Sequence, residues 1–257
     1  MYQEERLIEI LTYLSNERRI SVEKICELFG VSRDTARRDL VKLEEQQAIL
    51  RTRGGAILPS TRNKIKDYPN RLQTDSGEKF HIGRKAASLI RNGDKVILDA
   101  STTVQSCADQ MKELDCTVIT NSINQAEILS NKANITIHLL GGQLHKEHRF
   151  LYGTSVIDRL AKYYVDHAFI GVVGISEHGL TIAHEEDGMV KRKMIEQAKQ
   201  VTVLADHTKI GITDFYQYAG LEDIDLLITD RAPCLEFQEL LSTHKVELVV
   251  TEEETSL

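Results

Sequence analysis

The sequence is short of the features that mark several classes of protein. It has only three prolines in 257 residues, and 41% hydrophobic with 28% charged residues is the composition of a folded chain rather than a disordered one. No apolar run approaches the roughly 18–20 residues that a membrane helix needs. Met1-Tyr2-Gln3-Glu4-Glu5-Arg6 has neither the basic start nor the apolar stretch of a signal peptide, which points to the cytoplasm. The four cysteines, Cys26, Cys107, Cys116 and Cys234, form no C-x2-C pair. That fits neither a zinc ribbon nor a disulfide framework, and reduced thiols are expected. Nor is there an excess of positive charge. The net charge is −7, which taken alone argues against a nucleic-acid partner, because phosphate repels an acidic protein.

The distribution of charge reverses that argument. Residues 1–58 hold ten Lys/Arg and ten Asp/Glu, so the acidity lies downstream, and Arg33, Arg37, Arg38, Lys42, Arg51 and Arg53 fall in one short stretch. Leu7, Ile10, Leu11 and Leu14 recur at i, i+3, i+4, i+7, the stripe of an amphipathic helix. Ser21 is a fitting N-cap for a second helix that turns Ile25, Cys26 and Phe29 inward and stops at Gly30. Ser32 then caps a third, with Ala36, Leu40 and Leu43 buried and Arg33, Asp34, Thr35, Arg37 and Arg38 outside. Two apolar runs, Ala48-Ile49-Leu50 and Ala56-Ile57-Leu58, bracket Arg51-Thr52-Arg53-Gly54-Gly55 and read as a small hairpin wing.

A helix that enters the major groove needs long polar side chains clustered on one side, and this third helix has them. The DNA-contacting candidates are Ser32, Arg33, Thr35, Arg37 and Arg38 on the helix, with Arg51, Arg53 and Gly54 on the wing. Asp39, beside the core, is expected to make a structural ion pair or cap rather than a base contact. Gly54 and Gly55 are expected to resist substitution for conformational reasons. The domains expected are a winged helix-turn-helix over 1–58, a linker over 59–75 with two prolines, and a larger domain over 76–257.

From about residue 76, short apolar strands alternate with helices. Strand candidates are 96–98, 117–120, 135–140, 168–170, 201–204, 226–228 and 246–250; helical stretches include 83–91, 123–130, 155–161, 188–198 and 235–242. Continuous apolar strands alternating with helices imply an α/β fold with a mostly parallel open sheet covered on both faces.

The order of motifs resembles one family along nearly the whole chain. Ser21 to Ser32, then Thr35-Ala36-Arg37-Arg38-Asp39-Leu40 and Arg53-Gly54-Gly55-Ala56, is similar to the DeoR-type repressor signature, with Ala36 standing where larger β-branched residues are usual. Asp99-Ala100-Ser101-Thr102-Thr103, Thr120-Asn121-Ser122, Leu140-Gly141-Gly142, Gly179-Leu180-Thr181, Lys191-x-x-Met194-Ile195 and Ala205-Asp206-x-x-Lys209-x-Gly211 resemble the effector domain of that family. The resemblance implies a transcriptional repressor of a carbohydrate-metabolism operon with a sugar-phosphate-sensing domain, similar in fold to ribose-phosphate isomerases and glucosamine-phosphate deaminases. It also implies double-stranded operator DNA and a small phosphorylated sugar as partners.

Residues 99–103 lie between a strand and a helix, where hydroxyls and free backbone N–H groups hold a phosphate or simply cap the helix. Position at the carboxyl end of a parallel strand favours the first, because ligands of open α/β sheets bind there. Ser101, Thr102 and Thr103 are therefore the phosphate candidates. Lys191 and Lys209 are candidates to neutralise the phosphate, Asp99, Glu186 and Asp206 to accept from hydroxyls, Asn121 to reach the sugar, and Gly142 belongs to the same set by resemblance. His184-Glu185-Glu186-Asp187 and His145-x-x-His148 invite a metal reading, yet neither has a convincing partner set, so no metal and no cofactor beyond the effector are expected. A rival reading, catalysis of aldose–ketose isomerisation by Asp99, Glu186 and Lys191, is disfavoured by the attached DNA reader. One small reader supplies too little specific affinity, so a homo-oligomer, dimer or tetramer, is expected.

Overall fold

The structure is a computed structural model, and it describes residues 3–17, 19–45, 48–52, 54–57, 68, 72, 76–112 and 114–251. The chain divides into two compact units, Met1–Ile65 and Lys66–Leu257. Arg53 and most of the expected linker lie outside the described residues.

In the first unit, α1 (Gln3–Glu17) buries Leu7, Ile10 and Leu14 and leaves Leu11 half-buried. A short strand, β1 (Arg19–Ser21), leads into α2 (Val22–Phe29). Ser21 caps that helix by accepting from the Lys24 N–H at 3.0 Å, and Gly30 ends it at φ 62°, ψ 32°, a left-handed conformation that favours glycine. Ser32 caps α3 (Arg33–Glu45) by accepting from the Thr35 N–H at 3.2 Å. Ala36, Leu40 and Leu43 join Ile10, Leu14 and Ile25 in one core, so helix, turn and helix follow the sequence reading.

The wing is β2 (Leu50–Thr52) paired antiparallel with β3 (Gly55–Ile57), and β1 adds to the far side in the order β1-β3-β2. The first strand starts later than its apolar run suggested, and the second one residue earlier, at Gly55. Ile49 is buried in the core, so Leu50, Arg51 and Thr52 do the pairing, opposite Ile57, Ala56 and Gly55.

The two wing glycines differ. A Cβ on Gly55 would meet the Ile20 carbonyl oxygen at 2.0 Å, whereas one on Gly54 would meet nothing among the described residues. The expectation that both resist substitution for conformational reasons is therefore corrected: Gly55 is required by the approach of β1, and Gly54 is not sterically constrained. Gly55→Ala is expected to lower the stability of this unit by more than about 2 kcal/mol, and Gly54→Ala to change it by less than about 0.5 kcal/mol. Thermal unfolding of the two variants measures the difference.

In the second unit, Tyr68 already belongs to the packed structure: its side chain is buried, its N–H donates to the Glu147 carbonyl at 3.0 Å and its hydroxyl donates to Gln105. Packed order thus begins before residue 76. After α4 (Ser76–Ala87) come β4 (Lys95–Leu98), α5 (Thr102–Gln110), β5 (Cys116–Thr120), α6 (Ile123–Ser130) and β6 (Ile135–Leu139). A hairpin of β7 (Gln143–His145) and β8 (Phe150–Tyr152) follows, then α7 (Thr154–Leu160) and β9 (Val165–Gly171). Next are β10 (Gly174–Ser176), β11 (Gly179–Ile182), α8 (Glu185–Glu196), β12 (Ala198–Leu204) and β13 (Tyr216–Ala219). The unit closes with β14 (Leu226–Thr229), α9 (Leu235–Thr243) and β15 (Glu247–Val250).

Seven strands form one parallel sheet in the order β15-β14-β12-β9-β4-β5-β6, and these are the seven segments that the apolar runs marked. Val96, Leu98, Val118, Phe169, Leu204 and Ile228 carry the core. The smaller β10-β11-β13 sheet and the β7–β8 hairpin were not foreseen. Among the described residues no helix is long and apolar enough to cross a membrane. All four cysteines are unpaired, and burial pushes the thiol of Cys107 up to about 12 and that of Cys116 to about 11, so neither is a thiolate at neutral pH.

Candidate functional site

Arg33, Arg37 and Arg38 are exposed on the first turns of α3. Arg33 pairs with Glu23 at 3.3 Å and Arg51 with Glu44 at 3.6 Å, both at exposed positions where such pairs contribute little and exchange readily for phosphate. Arg37 and Arg38 have no ion-pair partner among the described residues, which makes them the principal donors of this face. Ser32 and Thr35 are tied to each other, their hydroxyl oxygens 3.0 Å apart, at the same helix start. Asp39, fully buried, accepts from Arg6 Nε at 2.6 Å and from Gln3 Nε2 at 2.9 Å. The expected structural ion pair is present, and its partner is on α1 rather than the adjacent Arg38.

Alanine at Arg37 or Arg38 is expected to leave the fold intact and weaken specific duplex binding by about 1–3 kcal/mol where a base contact is lost, or to lower the salt slope by about one where a phosphate contact is lost. Gel-shift titration at several salt concentrations separates the two outcomes, and unchanged binding by both variants overturns the assignment.

In the second unit the sheet order reverses between β4 and β9: β5 and β6 are added on one side, β12, β14 and β15 on the other. Asp99 follows β4 at this reversal. Its Oδ1 accepts from the Ser101 N–H and its Oδ2 from the Gly171 N–H, both at 2.9 Å. Lys191, reaching across from α8, donates to Asp99 and to the Gly171 carbonyl at 2.9 Å, with both side chains almost fully buried. Two residues expected to serve ligand separately therefore neutralise each other.

Ser101 is the N-cap of α5, its hydroxyl accepting from the Val104 N–H at 3.1 Å. The side chains of Thr102 and Thr103 are buried. What the α5 start offers an anion is thus chiefly the backbone N–H groups of its first turn, which a helix leaves without intrahelical partners. Gly171 lies directly against this cap, and a Cβ there would stand 2.0 Å from Ser101 Oγ.

Asn121, after β5, donates to the Leu151 carbonyl at 3.1 Å while its Oδ1 is buried without a hydrogen-bond partner among the described residues. Asp206, after β12, accepts from the Thr208 N–H at 3.0 Å, and Lys209 stands 3.8 Å from its other oxygen, beyond hydrogen-bonding range. These residues do lie at strand ends, but β5 and β12 are three strand spacings apart, ~14 Å. Asn121 and Asp206 accordingly stand at opposite ends of the crevice. Glu186 is exposed on the first turn of α8, the helix that carries the buried Lys191. Gly142 owes its place to packing, since a Cβ there would meet Val156 Cγ2 at 2.5 Å and the Tyr152 carbonyl at 2.6 Å.

Three residues escaped the sequence reading. Gln125 on α6 donates to the carbonyls of Asp99 at 2.7 Å and Ser101 at 3.1 Å, pinning the loop between β4 and α5. Its signal was a polar residue following Asn121-Ser122 into a helix. Gly171, part of the family's order of motifs but not read as a site residue, is the second. Tyr218 on β13 is buried with a hydroxyl that has no hydrogen-bond partner among the described residues; burial pushes its pKa well above the ordinary value, and Asp99 and Asp187 add to the effect. Nothing local to Tyr218 revealed this, because the strand bearing it was not foreseen.

The expected absence of metal partners is also corrected: His145, His148 and His184 come together, each of the two sequence clusters supplying what the other lacked.

A helix-turn-helix with a basic face, joined in one chain to a parallel α/β unit whose strand order reverses between β4 and β9, defines a DNA-binding regulator with a sensor domain. Residues 6–62 match the DeoR-like helix-turn-helix domain, and residues 74–231 match the DeoR C terminal sensor domain. The chain belongs to the DeoR family of transcriptional repressors and is a regulator rather than an enzyme. It is 68% identical to the HTH-type transcriptional repressor GlcR of Bacillus subtilis (strain 168) over 254 residues, 99% of this chain and 98% of that one. It is 30% identical to the glycerol-3-phosphate regulon repressor of Escherichia coli (strain K12) over 250 residues, 96% and 99% of the two chains. The solved structure of ribose 5-phosphate isomerase A from Methanocaldococcus jannaschii is a more distant likeness, at 18% identity over 53% of this chain and 55% of that one with a TM-score of 0.39.

Proposed function

We propose that this repressor acts in the cytoplasm as a homo-oligomer on the operator of a carbohydrate-metabolism operon and is released by a small phosphorylated sugar bound at the β4–β9 crevice. One observation carries the reading: at the reversal of strand order, the start of α5 meets Gly171 so closely that no side chain fits between, leaving a cradle of backbone around the Asp99–Lys191 pair. The Asn121 Oδ1 and Tyr218 hydroxyl, without partners among the described residues, support it, since buried polar groups without partners call for a ligand or water. So does the name of the E. coli relative, which refers to a phosphorylated three-carbon polyol. Arg37, Arg38, Arg51 and Arg53 serve as the DNA-contacting arginines in this scheme, and the crevice needs no cofactor besides the effector. The effector favours a DNA-incompetent arrangement, because a ligand with equal affinity for both states shifts nothing.

The experiment is a gel shift on an operator selected from random duplexes, run with sugar phosphates, the matching free sugars and inorganic phosphate. Release by one phosphorylated sugar and not by its free form is expected. In Gly171→Ala, whose new methyl group displaces the Ser101 cap, DNA binding is expected to persist while the effector concentration needed for release rises more than about tenfold. Equal response to the free sugar, or no response to any sugar phosphate, overturns the reading.

A further inference from the structure

We infer that His145, His148 and His184 form a binding site for a divalent transition-metal ion of the zinc class. The inference does not rest on the effector reading. His145 ends β7 and His148 stands three residues later in the turn to β8, while His184 is the N-cap residue of α8. One imidazole nitrogen from each lies within 4.8 Å of the other two. The rings of His145 and His148 are stacked with centroids 4.7 Å apart, and His184 approaches them at 5.4 and 5.3 Å.

Local structure holds the group in place. The turn is closed by the Arg149 N–H donating to the His145 carbonyl at 2.7 Å, and Arg149 itself takes a left-handed φ of 58°, rare for a residue with a side chain. Its Nε donates to Asn124 at 2.6 Å, which anchors the turn to α6. Phe150 stacks on His145 with centroids 5.1 Å apart and gives the site an apolar wall. His184 occupies an N-cap position, where Ser, Thr, Asp or Asn would normally bond the helix, and its side chain makes no capping bond. Its ring is turned instead toward the other two.

Three imidazoles are the donor set of a borderline ion such as zinc, with the fourth position left for water or another oxygen ligand. A tetrahedral ion with bonds of about 2.0–2.1 Å asks for ligating nitrogens ~3.3–3.4 Å apart. The present spacing therefore closes by no more than ~1.5 Å, which ring rotation supplies. The long 3.4 Å hydrogen bond from the His148 N–H to His145 Nδ1 is a small loss if that ring turns. An ion bound here ties the β7–β8 turn to the start of α8, the helix that also carries Lys191.

The test uses the full chain, stripped with a chelator and titrated with zinc by calorimetry and with cobalt by visible spectroscopy. One equivalent is expected to bind, and cobalt should give the strong d–d bands of a tetrahedral site without a thiolate charge-transfer band. Because loss of even an outer partner of a ligand costs 10–100-fold, His184→Ala and His145→Gln, with unchanged circular dichroism, are each expected to weaken binding more than about 100-fold. Failure of the wild-type chain to take up either ion, uptake unchanged in both variants, or a thiolate band overturns the proposal.

Discussion

Lys191→Met is expected to lower the unfolding free energy of the Lys66–Leu257 unit by about 3–5 kcal/mol, because it strands the Asp99 carboxylate in the interior. Asp99 keeps its two backbone donors, the N–H groups of Ser101 and Gly171, but those are dipoles rather than a charge. Removing both charges should cost less than removing one. Lys191→Met combined with Asp99→Asn is therefore expected to recover part of the loss. Urea unfolding of the full chain, with wild type and the two variants side by side, measures this. A loss below about 1 kcal/mol in the single variant would mean that water reaches the pair and that the crevice is open where the packing makes it closed.

The second large effect belongs to the other unit. Arg6→Met leaves Asp39, fully buried, with Gln3 as its neutral donor, and is expected to cost about 3 kcal/mol. That is a large fraction of what so small a unit can hold, since domains of this size bury proportionately little surface. The variant is thus expected to lose DNA binding through unfolding at a temperature where the sensor unit stays folded. Arg6→Met with Asp39→Leu should restore folding. A single variant that binds DNA and melts like wild type would show that the pair is dispensable.

Hydrophobic pattern read the sheet well and the site less well, and the reason is the range over which each is encoded. Val96-Ile97-Leu98 or Leu226-Leu227-Ile228 announce a buried parallel strand because every side chain on both faces is apolar. The caps Ser21 and Ser32 were legible for a similar reason, as a cap bonds an amide three residues away, whereas Ser101, which caps α5, was read as a phosphate candidate. The β10-β11-β13 sheet was missed because Gly174-Ile175-Ser176 is too short to show a period. Asp99 with Lys191, Asp39 with Arg6, and His184 with His145 and His148 join residues far apart in sequence, and no local spacing reports such a pairing. Except for Arg6, the residues were marked as charged or ligating, and what was absent was the partner.

The strand reversal at β4 has a kinetic side. Val96 and Leu98 pair with β5 across a short connection, but their other neighbours, His167 and Phe169, lie some seventy residues further on. At ribosomal rates of about 5–20 residues per second, the left-hand neighbour of β4 leaves the exit tunnel roughly 4–14 s after β4 itself. Until then one edge of β4 has open amides and carbonyls, and Asp99 has neither the Gly171 amide nor Lys191 to satisfy it. Refolding from denaturant should accordingly be slow, since closing so long a loop precedes the contacts that reward it, and the half-made sheet is the stage at which chains of this design are most exposed to aggregation through an unpaired strand edge.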